Sequence, residues 1–289
     1  MTSATEPARA GHPAPAVPRL IATDLDGTLL RDDKSVSERT VAALAAAEEA
    51  GIEVFFVTGR PVRWMDVVSD HVQGHGLAIC GNGAVVVDLH DGVAEHRFVK
   101  VRPLERAAAL AVVELLRAAV PGTSFAVEQT GGLHHESAYP PMLMNAAGSI
   151  APAEELLADD ADTVAEPILK LLAHHPELPP DDFLALARKA VGARAEITRS
   201  SPTALLEISG PGVSKASTLE LCCAERGILP SEVVAFGDMP NDVEMLTWAG
   251  TSYAMGNAHP DVVAAASGHT VANNDDGVAV VIERILASL

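Results

Sequence analysis

Four short segments carry residue types suited to handling a phosphoryl group. Asp24-Leu25-Asp26-Gly27-Thr28 closes one apolar run and Thr58-Gly59-Arg60 closes another. Lys215 opens a helical stretch behind Ser214, and Gly237-Asp238 is followed by Asn241-Asp242. Asp24 and Asp26 are two positions apart, so on an extended chain both side chains point to the same side. Together with Asp238 they make an expensive cluster of like charge. A hard, oxygen-seeking cation such as Mg2+ relieves it. With the repulsion screened, one carboxylate can attack phosphorus as a nucleophile. The other, its pKa raised by the neighbouring charge, can protonate a leaving oxygen and later activate water. Thr58 offers a hydroxyl donor and Lys215 a positive charge for the group in transit. Gly27 lets the backbone turn directly after the carboxylates. Arg60 reads as a solvated residue at a helix start and is left outside the site.

These residues need a scaffold that gathers them. Leu20–Thr23, Val54–Val57 and Leu77–Cys80 are short apolar runs of the kind that form buried strands. An Ala-rich helix capped by Ser37 and stopped at Gly51 separates the first two, and Pro61 opens another helix. Strands alternating with helices predict a parallel sheet covered on both faces. The alternation resumes at Ser214, with a helix to Arg226 stopped by Gly227 and a strand at Val233–Phe236. A helix from about Asn241 to Trp248, a strand at Ser252–Met255 and a last helix from Gly277 follow. In such sheets ligands sit beyond the carboxyl ends of the strands, which is where the polar segments fall.

Between the two halves the pattern changes. Ala84–Asp88 and Val93–Val99 read as a hairpin around His90-Asp91-Gly92. A helix over Pro103–Ala119, strands at Ser124–Glu128, Ile168–Ala173, Ala195–Arg199 and Ala204–Ile208, and a helix at Asp181–Val191 follow without strict alternation. Ala138–Glu166, rich in Pro, Gly and acidic residues, is assigned no element. The expected fold is α/β: a Rossmann-like, doubly wound, mainly parallel sheet with an inserted α+β unit. The expected organisation is a disordered arm over 1–18, a core formed by 19–87 and 208–289, and an insertion over 88–207.

Bulk properties exclude several functions. The chain has 289 residues with 48% hydrophobic content, ample for a large core. Its 39 acidic against 20 basic residues give a net charge of −19, a field that opposes nucleic acid and anionic membranes. Aromatic content is 3% and there is no basic stripe for bases to stack along. The three cysteines, Cys80, Cys222 and Cys223, have no zinc or disulfide spacing, so a reducing, cytoplasmic setting is expected. No apolar run is long enough to span a membrane. The Ala- and Pro-rich residues 1–17 lack the apolar centre of a signal peptide.

The segments Asp24-Leu25-Asp26-Gly27-Thr28-Leu29, Thr58-Gly59-Arg60, Val213-Ser214-Lys215 and Gly237-Asp238-Met239-Pro240-Asn241-Asp242 together resemble, in order, the four motifs of the haloacid dehalogenase superfamily. Asn82-Gly83-Ala84, Ala254-Met255-Gly256-Asn257-Ala258 and Asp276-Gly277-Val278-Ala279 resemble its Cof-type phosphatase branch. The resemblance implies Asp24 as nucleophile and Asp26 as general acid/base. It implies phosphoryl binding by Thr58, Lys215 and Asn241. Mg2+ would be held by Asp24, the backbone carbonyl of Asp26, and Asp238. Asp242 would orient Lys215 or a metal-bound water, with Gly27 and Gly59 as supporting positions. The inserted unit corresponds to the family's cap, which selects the substrate, expected to be a small phosphorylated metabolite. Ala216 and Met239-Pro240 are uncommon fillings of their motifs, but neither removes a reactive group.

Within the insertion, Glu128 and, in a Gly-rich loop, His134 and His135 are candidate substrate contacts. Adjacent residues on a strand face opposite ways, so neither His134-His135 nor His174-His175 makes a natural chelating pair. A phosphomutase on the same scaffold, or a phosphate-ester-binding protein without turnover, would share much of this pattern. The presence of Asp24, Asp26, Lys215 and Asp238 together argues against the binding protein; steady release of inorganic phosphate would exclude the phosphomutase.

Overall fold

A computed structural model describes residues 17–69, 76–89, 97–140, 147–199 and 203–289. The expected arm up to residue 16 and the turn at His90-Asp91-Gly92 lie outside the described residues. The chain begins with β1 (Leu20–Thr23), α1 (Glu38–Glu49), β2 (Glu53–Val57), the short α2 (Asp66–Ser69), β3 (Leu77–Cys80), β4 (Val85–Asp88) and β5 (Arg97–Val101). Next come α3 (Arg106–Ala119), β6 (Ser124–Gln129), β7 (Gly132–His135), β8 (Ala147–Ile150), the short α4 (Ala153–Leu156), β9 (Ile168–His174), α5 (Pro180–Val191), β10 (Glu196–Thr198) and β11 (Leu205–Ser209). The chain closes with α6 (Lys215–Glu225), β12 (Val233–Gly237), α7 (Val243–Trp248), β13 (Thr251–Ala254), α8 (Pro260–Ala265), β14 (Gly268–His269) and α9 (Gly277–Leu286).

An eight-stranded sheet runs in the order β14-β13-β12-β1-β2-β3-β4-β5. Its first six strands are parallel, and β4 and β5 turn back antiparallel. Neighbouring residues of β2 show why the sheet needs cover on both sides. Phe55 packs into one hydrophobic cluster and Phe56 into another on the opposite face, both essentially inaccessible. Burying each such side chain contributes about 1.5–3 kcal/mol. From β1 the chain proceeds outward through β2 and β3, and later returns to β12 on the other flank. The strand order therefore reverses at β1, and the crevice beyond its carboxyl end is the place for a ligand. Asp24 is the first residue of that crevice.

A second sheet has the order β10-β11-β9-β6-β7-β8. Strand alternation divides its faces. Phe125 and Val127 on β6, Leu171 and Ala173 on β9, and Leu206 and Ile208 on β11 join α3 and α5 in a separate hydrophobic cluster. Glu128, Lys170, Leu172, Leu205 and Glu207 face the other way, over the crevice.

The structure departs from the sequence expectation at several places. The hairpin after Asn82-Gly83 adds β4 and β5 to the edge of the larger sheet, and the second sheet's strands run from Ser124 to Ser209. Residues 132–135, read as a Gly-rich loop, form β7 by pairing with β6. The unassigned 138–166 stretch contributes β8 and α4.

Candidate active site

The crevice is built from the carboxyl ends of β1, β2 and β12 and the start of α6. Ser214 caps α6 by accepting a bond from the Ser217 amide, which places Lys215 in the first turn, pointing inward. Lys215 is 1% exposed. Its Nζ donates to Asp24 Oδ1 at 2.6 Å and to Asp242 Oδ1 at 2.7 Å. Burial would lower its pKa, but the two carboxylates outweigh that and raise it, so the ammonium stays charged. Asp242 Oδ2 accepts from the backbone amides of Asp238 and Met239, at 3.0 and 3.1 Å. Asp242 thus orients Lys215 and stiffens the loop that carries Asp238.

Asp24, Asp238 and Asp242 bring carboxylate oxygens within 4.8 Å of one another, all buried. One ammonium cannot neutralise three carboxylates. Burial, followed by repulsion from Asp24 and Asp242, raises the pKa of Asp238. Burial also raises Asp24, against the pull of Lys215. This donor set, all hard oxygen, fits a divalent cation such as Mg2+. Both Asp242 oxygens are already engaged, so Asp24 and Asp238 are the carboxylates best placed to ligate. Gly27, at φ +78°, brings its backbone against Asp238, where a Cβ would overlap the carboxylate. Thr28 Oγ1 donates to Asp238 Oδ1 at 3.1 Å.

Asp26 behaves differently from its sequence expectation. The chain is not extended past Asp24: it turns at Leu25, whose carbonyl accepts from the amides of Thr28 and Leu30. Asp26 is not one of the clustered carboxylates. Its carboxylate accepts from Arg60 Nε at 2.5 Å, Arg60 Nη2 at 2.8 Å and Lys34 Nζ at 2.9 Å. Burial would raise its pKa, but the hydrogen bonds from Arg60 and Lys34 outweigh that and lower it to about 2, the reverse of the expected direction. Arg60 is accordingly not a solvated helix-start residue but a partner of Asp26.

Thr58 is buried, and its Oγ1 accepts from the Arg60 amide at 3.0 Å, leaving the hydroxyl proton available to donate. Asn241 Nδ2 donates to Asn82 Oδ1 at 3.1 Å. Gly59 lies under Asn82 and Glu207, with little room for a side chain.

Beyond Asp26 a cleft of about 220 Å3 opens between the two sheets, lined among others by Arg60, Arg63, Trp64, Glu128, Leu133, Tyr139, Lys170 and Glu207. Glu128 is on this face and pairs with Arg63. His134 is not: it faces the opposite side, where its Nδ1 accepts from the Ser149 amide at 2.9 Å. His135 lies on the cleft face, its ring 6.3 Å from that of Tyr139. His175 is structural, bonding the Pro121 carbonyl and the Glu177 and Leu178 amides. Sequence reasoning missed Lys170 and Glu207. Their signal was a charged residue inside an otherwise apolar strand, Ile-Leu-Lys-Leu-Leu in one case and Leu-Leu-Glu-Ile in the other.

The profile of the haloacid dehalogenase-like hydrolases matches residues 21–282. The chain belongs to that family, in its Cof-type branch, and is a phosphatase of the superfamily. It is 29% identical to the 5-amino-6-(5-phospho-D-ribitylamino)uracil phosphatase YitU of Bacillus subtilis, over 91% of this chain and 95% of that protein. It is 29% identical to the pyridoxal phosphate phosphatase YbhA of Escherichia coli, over 90% and 96%. It is 31% identical to the HMP-PP phosphatase of Citrobacter koseri, over 85% and 87%. Among solved structures, a haloacid dehalogenase-like hydrolase from B. subtilis superposes with a TM-score of 0.77 at 24% identity, covering 92% of this chain and 99% of that one.

Proposed function

We propose that this phosphatase hydrolyses small phosphomonoesters, of the sugar phosphate, nucleotide or cofactor phosphate class, with Mg2+ and through an aspartyl-phosphate on Asp24. The observation that carries the reading is the buried Lys215 bridging Asp24 and Asp242, with Asp238 beside them. This is an arrangement in which a carboxylate is held rigidly at the end of the central strand. Asp24, the carbonyl of Asp26, and Asp238 would hold the cation, which when bound neutralises the carboxylates and draws charge from the phosphoryl oxygens.

In the proposed reaction an Asp24 oxygen forms a bond to phosphorus as the ester oxygen leaves, and Asp26 delivers the proton to that oxygen. Asp26 then takes a proton from water as the water oxygen attacks the aspartyl-phosphate, releasing phosphate and restoring Asp24. Lys215, Thr58 and Asn241 hold the phosphoryl oxygens and Lys215 stabilises the charge developed in transit. Because Asp26 is ion-paired and ionised, it must leave Arg60 and Lys34 and take up a proton from solvent before acting as an acid. The ion pairs keep it ionised, as its second role requires, but weaken it as a base, so their release serves both steps.

The unit between Pro103 and Gly210 is proposed as the cap, a refinement of the 88–207 insertion. Its relatives act, by their names, on a ribitylaminouracil phosphate, pyridoxal phosphate and HMP-PP. All are small, and a cleft of about 220 Å3 suits leaving groups of modest size.

Asp24→Asn keeps the shape of the side chain and removes its nucleophilicity. It should lower phosphate release by at least about 1,000-fold with an unchanged circular dichroism spectrum. Chelator should abolish wild-type activity and Mg2+ restore it. Full turnover in excess chelator, or phosphate analogue trapped on another residue, would refute the scheme.

A further inference from the structure

The cleft's roof contains two charged residues for which the phosphoryl-transfer scheme has no use. Lys170 lies within β9 and Glu207 within β11, and both face the core rather than α3 and α5. They are 5% and 4% exposed. Lys170 Nζ donates to Glu207 Oε2 at 2.6 Å and, across the gap between the sheets, to the carbonyl of Gly59 at 2.7 Å. Glu207 Oε2 also accepts from Asn82 Nδ2 at 2.7 Å. Asn82 in turn accepts from Asn241 Nδ2 through its Oδ1, at 3.1 Å. Its backbone amide donates to the carbonyl of Thr58 at 3.0 Å. Asn82 holds this place in a left-handed conformation, φ +56°, which Asn tolerates better than most residues with a Cβ.

Removing two opposite charges from water costs more than their attraction returns unless further hydrogen bonds satisfy them. Here those further bonds run to Gly59 and Asn82, on loops of the core. Gly59 follows Thr58 directly, and Asn82 binds both the Thr58 carbonyl and the Asn241 side chain. The pair therefore grips the backbone beside one phosphoryl-binding residue and the side chain that orients another.

We infer that Lys170 and Glu207 are positioning residues, which act through Gly59 and Asn82 to set Thr58 and Asn241 for the phosphoryl group, so that the phosphoryl site is complete only with the cap seated. The inference rests on the phosphatase reading above. It gives the pair a role common to all substrates, unlike a contact with the leaving group, which would differ from one ester to the next.

The test compares the wild type with Lys170→Met/Glu207→Leu, which removes both charges together and leaves no buried ion unpaired. Glu207→Gln serves as a milder, nearly isosteric variant. Steady-state hydrolysis is measured over a panel of phosphate esters that differ in leaving group, with inhibition by inorganic phosphate measured alongside. The double variant should lose kcat/KM by about 10-fold or more, by the same factor for every ester. Its inhibition by phosphate should weaken in step, while thermal melting shows a cooperative fold, and Glu207→Gln should lose less by the same pattern. Wild-type kcat/KM and phosphate inhibition in both variants would overturn the inference, as would a reordering of the esters with phosphate inhibition unchanged. If the double variant does not fold, the Glu207→Gln data decide by the same two criteria. A wild type that releases no phosphate from any ester sinks the phosphatase reading instead, a separate result.

Discussion

At the residue scale, the site is an excess of buried negative charge held in order by one ammonium. Lys215 cannot balance Asp24, Asp238 and Asp242, and the imbalance has a thermodynamic signature. Burial and neighbouring carboxylates raise the pKa of Asp238 from 3.8 to about 8 in the folded protein. A carboxyl group with a raised folded pKa keeps a proton that the unfolded chain releases. Its contribution to stability is full below the unfolded value and is lost as pH rises through the folded one. In chelator, the melting temperature of the wild type should therefore fall between pH 5 and pH 8. Asp238→Asn removes one of the two carboxyl groups that titrate high, Asp24 being the other, and should lessen that fall, gaining at least about 2 °C over wild type at pH 8. Adding Mg2+ should raise the wild type at pH 8 and leave the variant nearly unmoved. Parallel melting curves for the two proteins across this pH range would contradict the account. Most of these residues were legible in the sequence, because a carboxylate at the end of an apolar run is conspicuous. The state of Asp26 was not. Its pKa depends on Arg60 and Lys34, and the turn at Leu25 that directs it to them is a matter of backbone hydrogen bonds that spacing alone cannot specify.

At the element scale, alternation along a strand decides which residues can meet a substrate. Recognising β1, β2, β3 and β12 from sequence succeeded because buried parallel strands are unbroken apolar runs. Strand β7 was missed, since Gly132-Leu133-His134-His135 has little strand propensity of its own and is ordered by pairing with β6. That error hid the difference between its two histidines. His134 sits on the far face and bonds the Ser149 amide, whereas His135 shares the cleft face with Leu133 and approaches Tyr139. His134→Ala should lower the melting temperature, at a cost of about 0.5–1.5 kcal/mol for the lost hydrogen bond from the Ser149 amide, and keep the order of preferred esters. Tyr139→Ala, which strips an aromatic wall from the cleft, should change that order with a much smaller effect on the hydrolysis of the least bulky ester. A ranking altered by His134→Ala but not by Tyr139→Ala would reverse this assignment of faces.

At the scale of the whole molecule, the protein has two sheets with separate apolar interiors. Leu104, Phe125, Phe183 and Ile208 belong to a cluster distinct from the two that cover the faces of the larger sheet. Among the described residues the halves are linked by polar pairs, Arg63 with Glu128, Lys170 with Gly59 and Glu207 with Asn82, beside Leu169 of β9, which joins a cluster of the larger sheet. Such an interface stabilises less than a shared core and permits relative motion. Read from the sequence, the insertion spans 88–207, whereas the proposed cap begins after β5, because β5 pairs with β4 at the edge of the larger sheet. The proposed joints, Pro103 and Gly210, are so close that a Cβ on Gly210 would come within 2.8 Å of the Pro103 carbonyl. Chain ends in contact can be rejoined with a short linker at little cost in loop entropy. Replacing residues 104–209 by a few Gly and Ser residues should thus leave a core that melts cooperatively, since its own apolar clusters are almost intact. Two losses should follow together. Discrimination among esters should flatten, because the walls contributed by Glu128, Leu133, Tyr139 and Leu205 are gone. Turnover of even the smallest ester should fall by about 10-fold or more, because Gly59 and Asn82 lose the lysine and glutamate that hold them. Retained discrimination would show that the core alone selects substrate. Flattened discrimination with undiminished turnover would confine the cap to substrate selection and leave the phosphoryl site independent of it.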